Sequence, residues 1–387
     1  MNLGIIGLPQ VGKKTVFKLL TGQEAEKAPS RHGIRYGIAP VKDPRIDKLS
    51  AMYNPKKTRY AEFEIALPPD ITPNAARGAE WIDPLRKVDA FLHVVRAFED
   101  PGVYHIEGNV DPERDLRLVE TEFLLADLEL IEARLERLGK ELQKNDTAGQ
   151  REKDVLERCL GYLEDEKPLR NLELNEEEKK VLHNLQLLSR KPTTVVFNTG
   201  EDMGAAATDL AGLSGELEER GETVVYLSAD IESELAELDD AEKESFMEDL
   251  GIREPAAHRL SRAAYECLGL ISFFTVGEDE VRAWPVRRGA AAPEAAGKIH
   301  SDLQRGFIRA ETTAYEELIA AGSERAAKEA NKTRAEGKDY VVKDGDVMNI
   351  RFSVECKRYI GRGYSLPSAI PKGGSEASNT STPAGFD

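Results

Sequence analysis

The first twenty residues combine an apolar run, a glycine-containing turn and a second apolar pattern. Residues 2–6 (NLGII) form a short apolar run that leads directly into a glycine loop. Behind the loop, apolar residues recur at helical spacing, at positions Val16, Phe17, Leu19 and Leu20. A strand, a loop and a helix in this order form the unit expected at the edge of a doubly wound sheet. The pattern therefore predicts an α/β fold.

Four further runs have the apolar, β-branched composition of strands, namely residues 60–67, 88–96, 193–198 and 223–228. The second of them (VDAFLHVVR) is apolar almost throughout, which is typical of a strand buried on both faces of a sheet. Residues 28–45 are rich in Arg, Gly and Pro, and we predict a loop there. Together these runs predict one doubly wound sheet that spans residues 1–110 and 191–270.

A helical pattern interrupts the predicted sheet from Asp111 onward. Apolar residues step by 3, 4, 3 and 4 along the chain, which is the spacing of a coiled-coil seam, at Leu128, Ile131, Leu135, Leu138 and Leu142. A second, less regular apolar arm follows the polar tip KNDTAGQ. We therefore predict an inserted antiparallel helical hairpin over residues 111–190. A third helix is predicted to begin near Asn175, with Glu178 completing a capping box.

The C-terminal part has a different arrangement of strands and short helices. The runs ISFFTV and VRAWPV, separated by GEDE, predict paired strands. The run DYVVKDGDVMNIRFSV predicts a hairpin with its turn at Lys-Asp-Gly-Asp. We therefore predict a small α+β domain over residues 271–355. Residues 356–387 are rich in Gly, Ser, Pro and Thr, a composition that predicts a disordered tail.

Composition excludes several classes of protein. The net charge of −17 over 387 residues argues against a chain that coats DNA or free RNA by charge alone. Apolar runs are too short for a membrane helix, and the N-terminal run lacks the form of a signal peptide. The three cysteines are far apart and predict reduced thiols in a reducing compartment, at positions Cys159, Cys267 and Cys356. We therefore expect a cytoplasmic protein with no membrane or DNA partner.

The strongest chemical signal is the loop GLPQVGKKT, which fits the pattern GxxxxGK between a strand and a helix. Glycines allow the backbone N–H groups to turn inward around phosphates, and the following helix adds the positive end of its dipole. Lys13 is expected to reach the β- and γ-phosphates of a nucleotide. The predicted phosphate-binding residues are Gly7, Pro9, Gln10, Val11, Gly12, Lys13, Lys14 and Thr15.

Position 14 departs from the pattern, because Lys14 stands where a Ser or Thr hydroxyl usually binds Mg²⁺. An ammonium about 4 Å from Mg²⁺ would be repelled by about 8 kcal/mol at an effective dielectric of about 20. Either Mg²⁺ is held weakly, or Lys14 turns to solvent, or its charge replaces the metal. Thr15 cannot substitute, since the next helical residue points about 100° away. We expect no ordinary metal ligand here, and nucleotide binding to survive better than hydrolysis.

Two short segments behind the loop suggest a site for a nucleotide base. Asn198-Thr199-Gly200-Glu201 follows the strand at 193–198, where many P-loop GTPases have NKxD. The lysine is absent and the acid is Glu201, so guanine selectivity should be weakened. Ser228-Ala229 follows the next strand, where such proteins have a loop that backs the base. We therefore predict that Asn198, Glu201, Ser228 and Ala229 bind the base, with ATP preferred over GTP.

Longer segments resemble the YchF family of Obg-like ATPases. They include GLPQVGKKT, PVKDPRIDKL, HVVRAFEDPGVYHIEGNVDPERDLRLVETE, NTGED and LDDAEKESFMEDLG. EVRAWPVRRGAAAPEAAGKIHSDLQRGFIRAE and GKDYVVKDGDVMNIRFSV resemble that family's TGS-type domain. The resemblance runs from residue 1 to about 355. It implies a P-loop NTPase fold, binding and slow hydrolysis of ATP, and association with the ribosome or its RNA.

The resemblance also identifies departures and candidate residues. In the switch II segment, Glu64 replaces an aspartate and Leu67 a glycine, while Arg31 lies near the place of the switch I threonine. His105 matches the histidine that the family is thought to use in catalysis. Apart from the resemblance, basic residues in the C-terminal half form either a candidate RNA-facing patch or only a solvated face: Arg287, Arg288, Arg305, Arg309, Lys328, Lys332 and Arg334.

Three readings of function remain open from the sequence. The leading one is a purine-nucleotide-binding protein at the translation machinery with weak or lost hydrolysis. The second is a fully active ATPase or GTPase of the same family. The third is a scaffold or RNA-binding module that has lost nucleotide altogether.

Overall fold

The computed structural model describes residues 2–73, 80–141, 146–249 and 254–353. Within these ranges the strands are β1 Asn2–Ile6, β2 Ser30–Arg31, β3 Ile34–Val41, β4 Lys57–Arg59, β5 Ala61–Leu67, β6 Ala90–Ala97, β7 Thr193–Thr199, β8 Thr223–Leu227, β9 Leu270–Thr275, β10 Glu280–Arg287, β11 Phe307–Ala314, β12 Arg334–Glu336 and β13 Asp346–Phe352.

The helices surround two sheets and include two long antiparallel members. They are α1 Lys13–Thr21, α2 Pro44–Tyr53, α3 Ile82–Arg86, α4 Pro112–Glu141, α5 Thr147–Glu164, α6 Glu176–His183, α7 Met203–Asp209, α8 Ala211–Glu219, α9 Ala229–Glu237, α10 Asp240–Asp249, α11 Ala256–Cys267, α12 Ala292–Ile299, α13 Ser301–Arg305, α14 Tyr315–Ala321 and α15 Glu324–Glu329. Short 3₁₀ turns lie at Ala25–Lys27 and Leu169–Asn171. None of the described helices is long and apolar enough to cross a membrane.

The first sheet has seven strands in the order β2-β3-β5-β1-β6-β7-β8. Strands β5, β1, β6, β7 and β8 run parallel, whereas β2 and β3 form an antiparallel edge. The predicted strands at 60–67, 88–96, 193–198 and 223–228 are therefore confirmed. The carboxyl ends of the parallel strands meet at one edge of the sheet, which is where such folds bind ligands.

The prediction of a loop over residues 28–45 was wrong, because β2 and β3 lie there. The glycine and proline residues of this segment suggested a loop, but β3 accommodates both residue types. A Cβ at Gly37 would clash with Phe17 and Thr21, so the glycine lets α1 pack closely on the sheet. Pro40 is exposed on β3 opposite Glu62.

The insertion consists of α4 and α5, which pack through the predicted leucine seam. Leu142 and the tip at 142–145 lie outside the described residues. Helix α6 begins as predicted, since the Asn175 side chain accepts from the N–H groups of Glu177 and Glu178 and the Glu178 carboxylate accepts from Asn175. These contacts confirm the capping box.

A buried carboxylate on α4 joins that helix to the segment before β7 and to α3. Asp127 of α4 is fully buried and accepts hydrogen bonds from the N–H groups of Leu188 (2.9 Å) and Ser189 (2.7 Å). The Ser189 hydroxyl and the Arg86 guanidinium also donate to Asp127. Burial raises the pKa of the Asp127 carboxyl, and these hydrogen bonds oppose the rise.

The second sheet has the order β12-β11-β13-β9-β10-β4. The predicted pairing of ISFFTV with VRAWPV is confirmed, because β9 and β10 are antiparallel neighbours. The predicted hairpin over DYVVKDGDVMNIRFSV was wrong. Only β13 is a strand there, and it pairs with β11 and β9, while Val341 forms one isolated bridge with Ala291. The apolar residues before Gly345 thus do not form a second arm.

The two sheets are joined through segments that are distant in sequence. Strand β4, from the first sixty residues, adds to the second sheet in parallel with β10. Arg45 at the start of α2 donates to Asp43 and, through Nη1, to Asp344 Oδ2 at 2.8 Å. Asp344 also accepts from the N–H of Ser272 in β9. The predicted tail at 356–387 lies outside the described residues.

We predict that Asp127→Ala destabilises the folded chain by about 3 kcal/mol. The substitution leaves buried N–H donors without an acceptor and the Arg86 guanidinium without its carboxylate. Urea unfolding followed by circular dichroism measures the loss. Asp154→Ala is the matched control, since Asp154 is exposed on α5 and accepts only from Gln150 Nε2 among the described residues. Equal effects of the two substitutions would contradict the role given to Asp127.

Candidate functional site

The turn between β1 and α1 adopts a conformation that few side chains allow. Gly7, Gln10 and Gly12 have positive φ angles of 144°, 62° and 98°. A Cβ at Gly7 would collide with the backbone oxygen of Val94 in β6, and a Cβ at Gly12 would collide with the Asn198 side chain. Both glycines are therefore needed for the loop to lie against the neighbouring strand ends.

Backbone donors are concentrated at the start of α1. The first intrahelical hydrogen bond runs from the N–H of Val16 to the Gly12 oxygen at 3.0 Å. The preceding N–H groups, at Lys13, Lys14 and Thr15, have no partner within the helix. Donors at a helix N-terminus, together with the dipole, favour an anion at this end.

The Lys13 side chain folds back across the loop. Its residue is only 6% exposed, and Nζ donates to the oxygens of Gly7 (2.9 Å) and Leu8. Nζ also lies 2.9 Å from Oδ1 of Asp70. Burial lowers the pKa of Lys13, whereas the Asp70 carboxylate opposes that change.

The sequence analysis did not single out Asp70 and named Glu64 as the acid of the switch II segment. Glu64 pairs in register with Asn2, which lies four residues before the end of β1. Glu64 is therefore about 13 Å from the loop, measured along the strand. Asp70 follows the end of β5 at the same edge as the loop, and the N–H of Ile71 approaches the Gly7 oxygen at 3.4 Å. The only signal in the sequence was that Asp70 is an acid shortly after a strand.

Lys14 does not point into the loop. Its side chain is 68% exposed, and Nζ lies 2.7 Å from the Glu26 carboxylate. Of the three alternatives for this residue, the structure favours the one in which Lys14 turns to solvent. Among the other loop residues, Val11 is buried, Pro9 and Thr15 are partly buried, and Gln10 is exposed.

Asn198 connects the loop to the end of β8. Its Nδ2 donates to the Val11 oxygen at 3.1 Å, and its Oδ1 accepts from the N–H of Ala229 at 3.0 Å. Ser228 caps α9 by accepting from the N–H of Ile231. The structure therefore brings the loop, Asn198, Ser228 and Ala229 together. Glu201 follows β7 on an exposed bend beyond this cluster.

His105 is buried and has a partner at each ring nitrogen. Nε2 lies 2.8 Å from Asp115 Oδ2, and Nδ1 accepts from the N–H of Glu107 at 3.1 Å. An imidazole with both nitrogens engaged has no free nitrogen to accept a proton from water. The catalytic role implied by the resemblance thus remains a prediction and requires this loop to rearrange.

Two further histidines, His93 and His300, have structural roles. His93 is buried in β6, and burial lowers its pKa to about 3, so its imidazole is neutral in the core. His300 is exposed and caps α13 by accepting from the N–H of Asp302.

The candidate RNA-facing patch is largely neutralised by neighbouring acids. Arg305 pairs with Asp302, Lys328 with Glu311, Lys332 with Glu317, Arg334 with Glu336, and Arg287 approaches Asp89. Arg288 and Arg309 have no ion pair within the ranges that the structure describes. Of the seven basic residues in the candidate patch, only these two arginines therefore have a charge that no ion pair within the described ranges neutralises.

Metal-binding chemistry is weakly represented among the described residues, which contain no group of three or more His, Cys, Asp or Glu side chains able to hold an ion. Lys14 supplies no oxygen ligand, and Asp70 is paired with Lys13. Residues at the loop thus do not fit the usual protein-held Mg²⁺.

We predict that Gly12→Ala destabilises the chain by at least about 2 kcal/mol more than Gly22→Ala. Both glycines flank α1 with positive φ angles, but a Cβ at Gly22 meets nothing within 4 Å. Gly22→Ala therefore tests backbone strain of about 1 kcal/mol alone, and Gly12→Ala adds the collision with Asn198. Urea unfolding of both variants measures the difference, and equal losses would show that the collision does not matter.

Comparisons with known proteins agree with this geometry. A family model named YchF-GTPase_C, described as a protein of unknown function (DUF933), matches residues 270–353. The structure of the Schizosaccharomyces pombe YchF GTPase matches with a TM-score of 0.79 and 30% identity, covering 91% of this chain and 97% of that one. The predicted P-loop NTPase fold with a C-terminal domain is thereby confirmed.

Two curated relatives extend the match over most of the sequence. The ribosome-binding ATPase YchF of Bacillus subtilis (strain 168) is 43% identical over 364 residues, covering 92% of this chain and all of that protein. The ribosome-binding ATPase YchF of Escherichia coli O157:H7 is 41% identical over 358 residues, covering 91% of this chain and 99% of that protein. The chain belongs to the YchF family.

Proposed function

We propose that this chain is a ribosome-associated protein that binds a purine nucleotide, prefers ATP over GTP, and hydrolyses it weakly or not at all. The observation that carries the proposal is the glycine loop between β1 and α1 with Lys13 buried beneath it. The first N–H groups of α1, which have no partner within the helix, and the Lys13 ammonium together provide the donors that a triphosphate needs.

Binding requires Lys13 to exchange partners. Its ammonium has three hydrogens, and Gly7, Leu8 and Asp70 accept from it. Asp70 is half exposed, so its carboxylate can be displaced into solvent at little cost when a phosphate takes its place. The β- or γ-phosphate is thus proposed to replace Asp70 as the counter-ion of Lys13.

Three features support weak hydrolysis. Lys14 removes the hydroxyl that ordinarily holds Mg²⁺, and its side chain is directed to Glu26. Glu64, which replaces the switch II aspartate, lies far along β5 from the loop. His105 is held by Asp115 and Glu107. Each feature removes a part that stabilises charge or positions water in phosphoryl transfer.

The base is proposed to lie beside Asn198 and Glu201. Asn198 retains one amide hydrogen and one oxygen lone pair after its bonds to Val11 and Ala229. Thr199 is buried and donates to backbone oxygens, so it offers no lysine-like platform for guanine. Without that lysine, the contacts that favour guanine are weakened.

The ribosome is proposed as the partner because curated relatives carry the name ribosome-binding ATPase. The corresponding compartment is the cytoplasm. A fully active ATPase remains the first alternative, and a nucleotide-free scaffold the second.

We predict that isothermal titration calorimetry detects ATP binding, and that Lys13→Ala weakens it by about tenfold or more, since a charge-assisted contact is lost. Lys18→Ala is the matched control, because Lys18 lies on the same helix but is 41% exposed and pairs with Glu24. Chelating Mg²⁺ should change the wild-type affinity by less than about threefold, because position 14 supplies no metal ligand.

Lys14→Ser should restore dependence on Mg²⁺ and raise turnover. Absence of any calorimetric signal with ATP, ADP, GTP or GDP would favour the scaffold. Robust Mg²⁺-dependent turnover that Lys14→Ser raises no more than about twofold would favour the active ATPase. Co-sedimentation of the wild-type chain with ribosomes tests the partner, and a chain that stays in the supernatant argues against it.

We also predict that ATP displaces a fluorescent purine nucleotide at lower concentration than GTP. The physical reason is the missing lysine at position 199, and Thr199→Lys should shift the preference toward GTP. Thr208→Lys on exposed α7 controls for the added charge, and thermal unfolding of both variants shows whether Thr199→Lys, at a buried position, still folds. Tighter binding of GTP by the wild-type chain would refute the assignment of the base.

A further inference from the structure

The residues proposed for the base and the Asp70 carboxylate lie on opposite sides of the glycine loop. Asn198 lies near the end of β7, Ala229 follows β8, and Asp70 follows β5. In the first sheet β5 is the neighbour of β1 on one side, whereas β6, β7 and β8 lie on the other side. A nucleotide with its base at β7 and β8 therefore extends its phosphates across β1 toward β5, and its last phosphate comes closest to Asp70.

The Asp70 carboxylate occupies the position of an anion beside Lys13. Its Oδ1 lies 2.9 Å from the Lys13 Nζ, which also donates to the backbone oxygens of Gly7 and Leu8. In phosphate-binding loops of this pattern the backbone N–H groups hold the α- and β-phosphates, and the lysine reaches the β- and γ-phosphates. Because Asp70 meets the ammonium from the β5 side, its carboxylate lies where a γ-phosphate would approach.

The backbone that carries Asp70 is held on both sides. Pro68 and Pro69 precede it, and proline fixes its own φ and restricts the residue before it. Ile71 follows, is fully buried in the core around the first sheet, and its N–H approaches the Gly7 oxygen at 3.4 Å. The Asp70 side chain can rotate into solvent, since it is 54% exposed, but its Cα is fixed. A displaced carboxylate therefore stays close to the phosphate that replaces it.

We propose that Asp70 determines specificity for the number of phosphates, by lowering the affinity for nucleoside triphosphates relative to diphosphates. This inference rests on the proposed binding of a nucleotide at the glycine loop. A γ-phosphate has to take the place of Asp70 at Lys13 and then lies beside a carboxylate, whereas a diphosphate ends at the loop and leaves that ion pair in place. Breaking the half-exposed pair costs little, so the repulsion that remains between the two anions is the larger effect.

Isothermal titration calorimetry of the full chain with ATP and with ADP tests the proposal, with Mg²⁺ chelated so that no metal screens the phosphates. The quantity compared is the Kd for ATP divided by the Kd for ADP. We expect Asp70→Asn to lower this ratio by about fivefold, chiefly by tightening ATP binding. Asp154→Asn is the matched control, because it removes the same charge from exposed α5, and should change the ratio by less than about twofold.

Asp70→Glu retains the charge and should keep the wild-type ratio. Thermal unfolding of each variant checks the fold, and Asp70→Ala replaces Asp70→Asn if the asparagine variant is not folded. A wild-type chain that binds neither nucleotide refutes the proposed function and this inference together. Binding of both nucleotides with a ratio in Asp70→Asn within about twofold of wild type overturns this inference alone. An equal shift in Asp70→Glu and Asp70→Asn also overturns it, since the charge is then not the determinant.

Discussion

The turn between β1 and α1 exists because no side chain stands at positions 7 and 12. At Gly7 the backbone lies directly against Val94 of the adjacent strand, and at Gly12 it lies against the Asn198 amide. The Oδ1 of that amide in turn accepts from the N–H of Ala229, the first residue of α9 after β8. Three strand ends are thus fixed relative to one loop by close packing and two hydrogen bonds, and the donors of α1 acquire their direction from this arrangement.

Elsewhere, charged side chains join parts of the chain that are far apart in sequence. Asp127 holds α4 against the segment before β7 through buried N–H donors, and Arg45 joins the start of α2 to the turn before β13. Such buried or half-buried ionic contacts contribute little when replaced as a pair, but removing one partner is costly. These contacts therefore determine how the segments pack against each other more than they increase the free energy of unfolding.

Much of the fold could be predicted from the sequence because its strands are apolar throughout or alternate regularly. Residues 90–96 and 194–198 are buried on both faces, and the leucine seam of α4 repeats with a fixed period. Strand β3 was not predicted because Gly37 and Pro40 are residue types typical of loops. The strand tolerates them because Gly37 lies in close contact with α1 and Pro40 is exposed near the edge of the sheet, and neither fact can be read from the sequence.

The candidate site, too, could be predicted only in part from the sequence. The loop from Gly7 to Lys13 could be recognised because its residue types and spacing determine its backbone. Asp70 could not, since its position opposite Lys13 depends on the path of the chain after β5. The outward direction of Lys14 likewise depends on Glu26, twelve residues away.

Strand β4 has a consequence for how the chain is made. Residues 57–59 complete the edge of the second sheet, but their partner β10 begins at Glu280, about 220 residues later. At synthesis rates of about 5–20 residues per second, β4 waits roughly 10 to 45 s for that partner to be translated. During this interval the nascent chain carries an unpaired strand, and Lys56, Lys57 and Arg59 provide the charge that discourages another strand from adding to it.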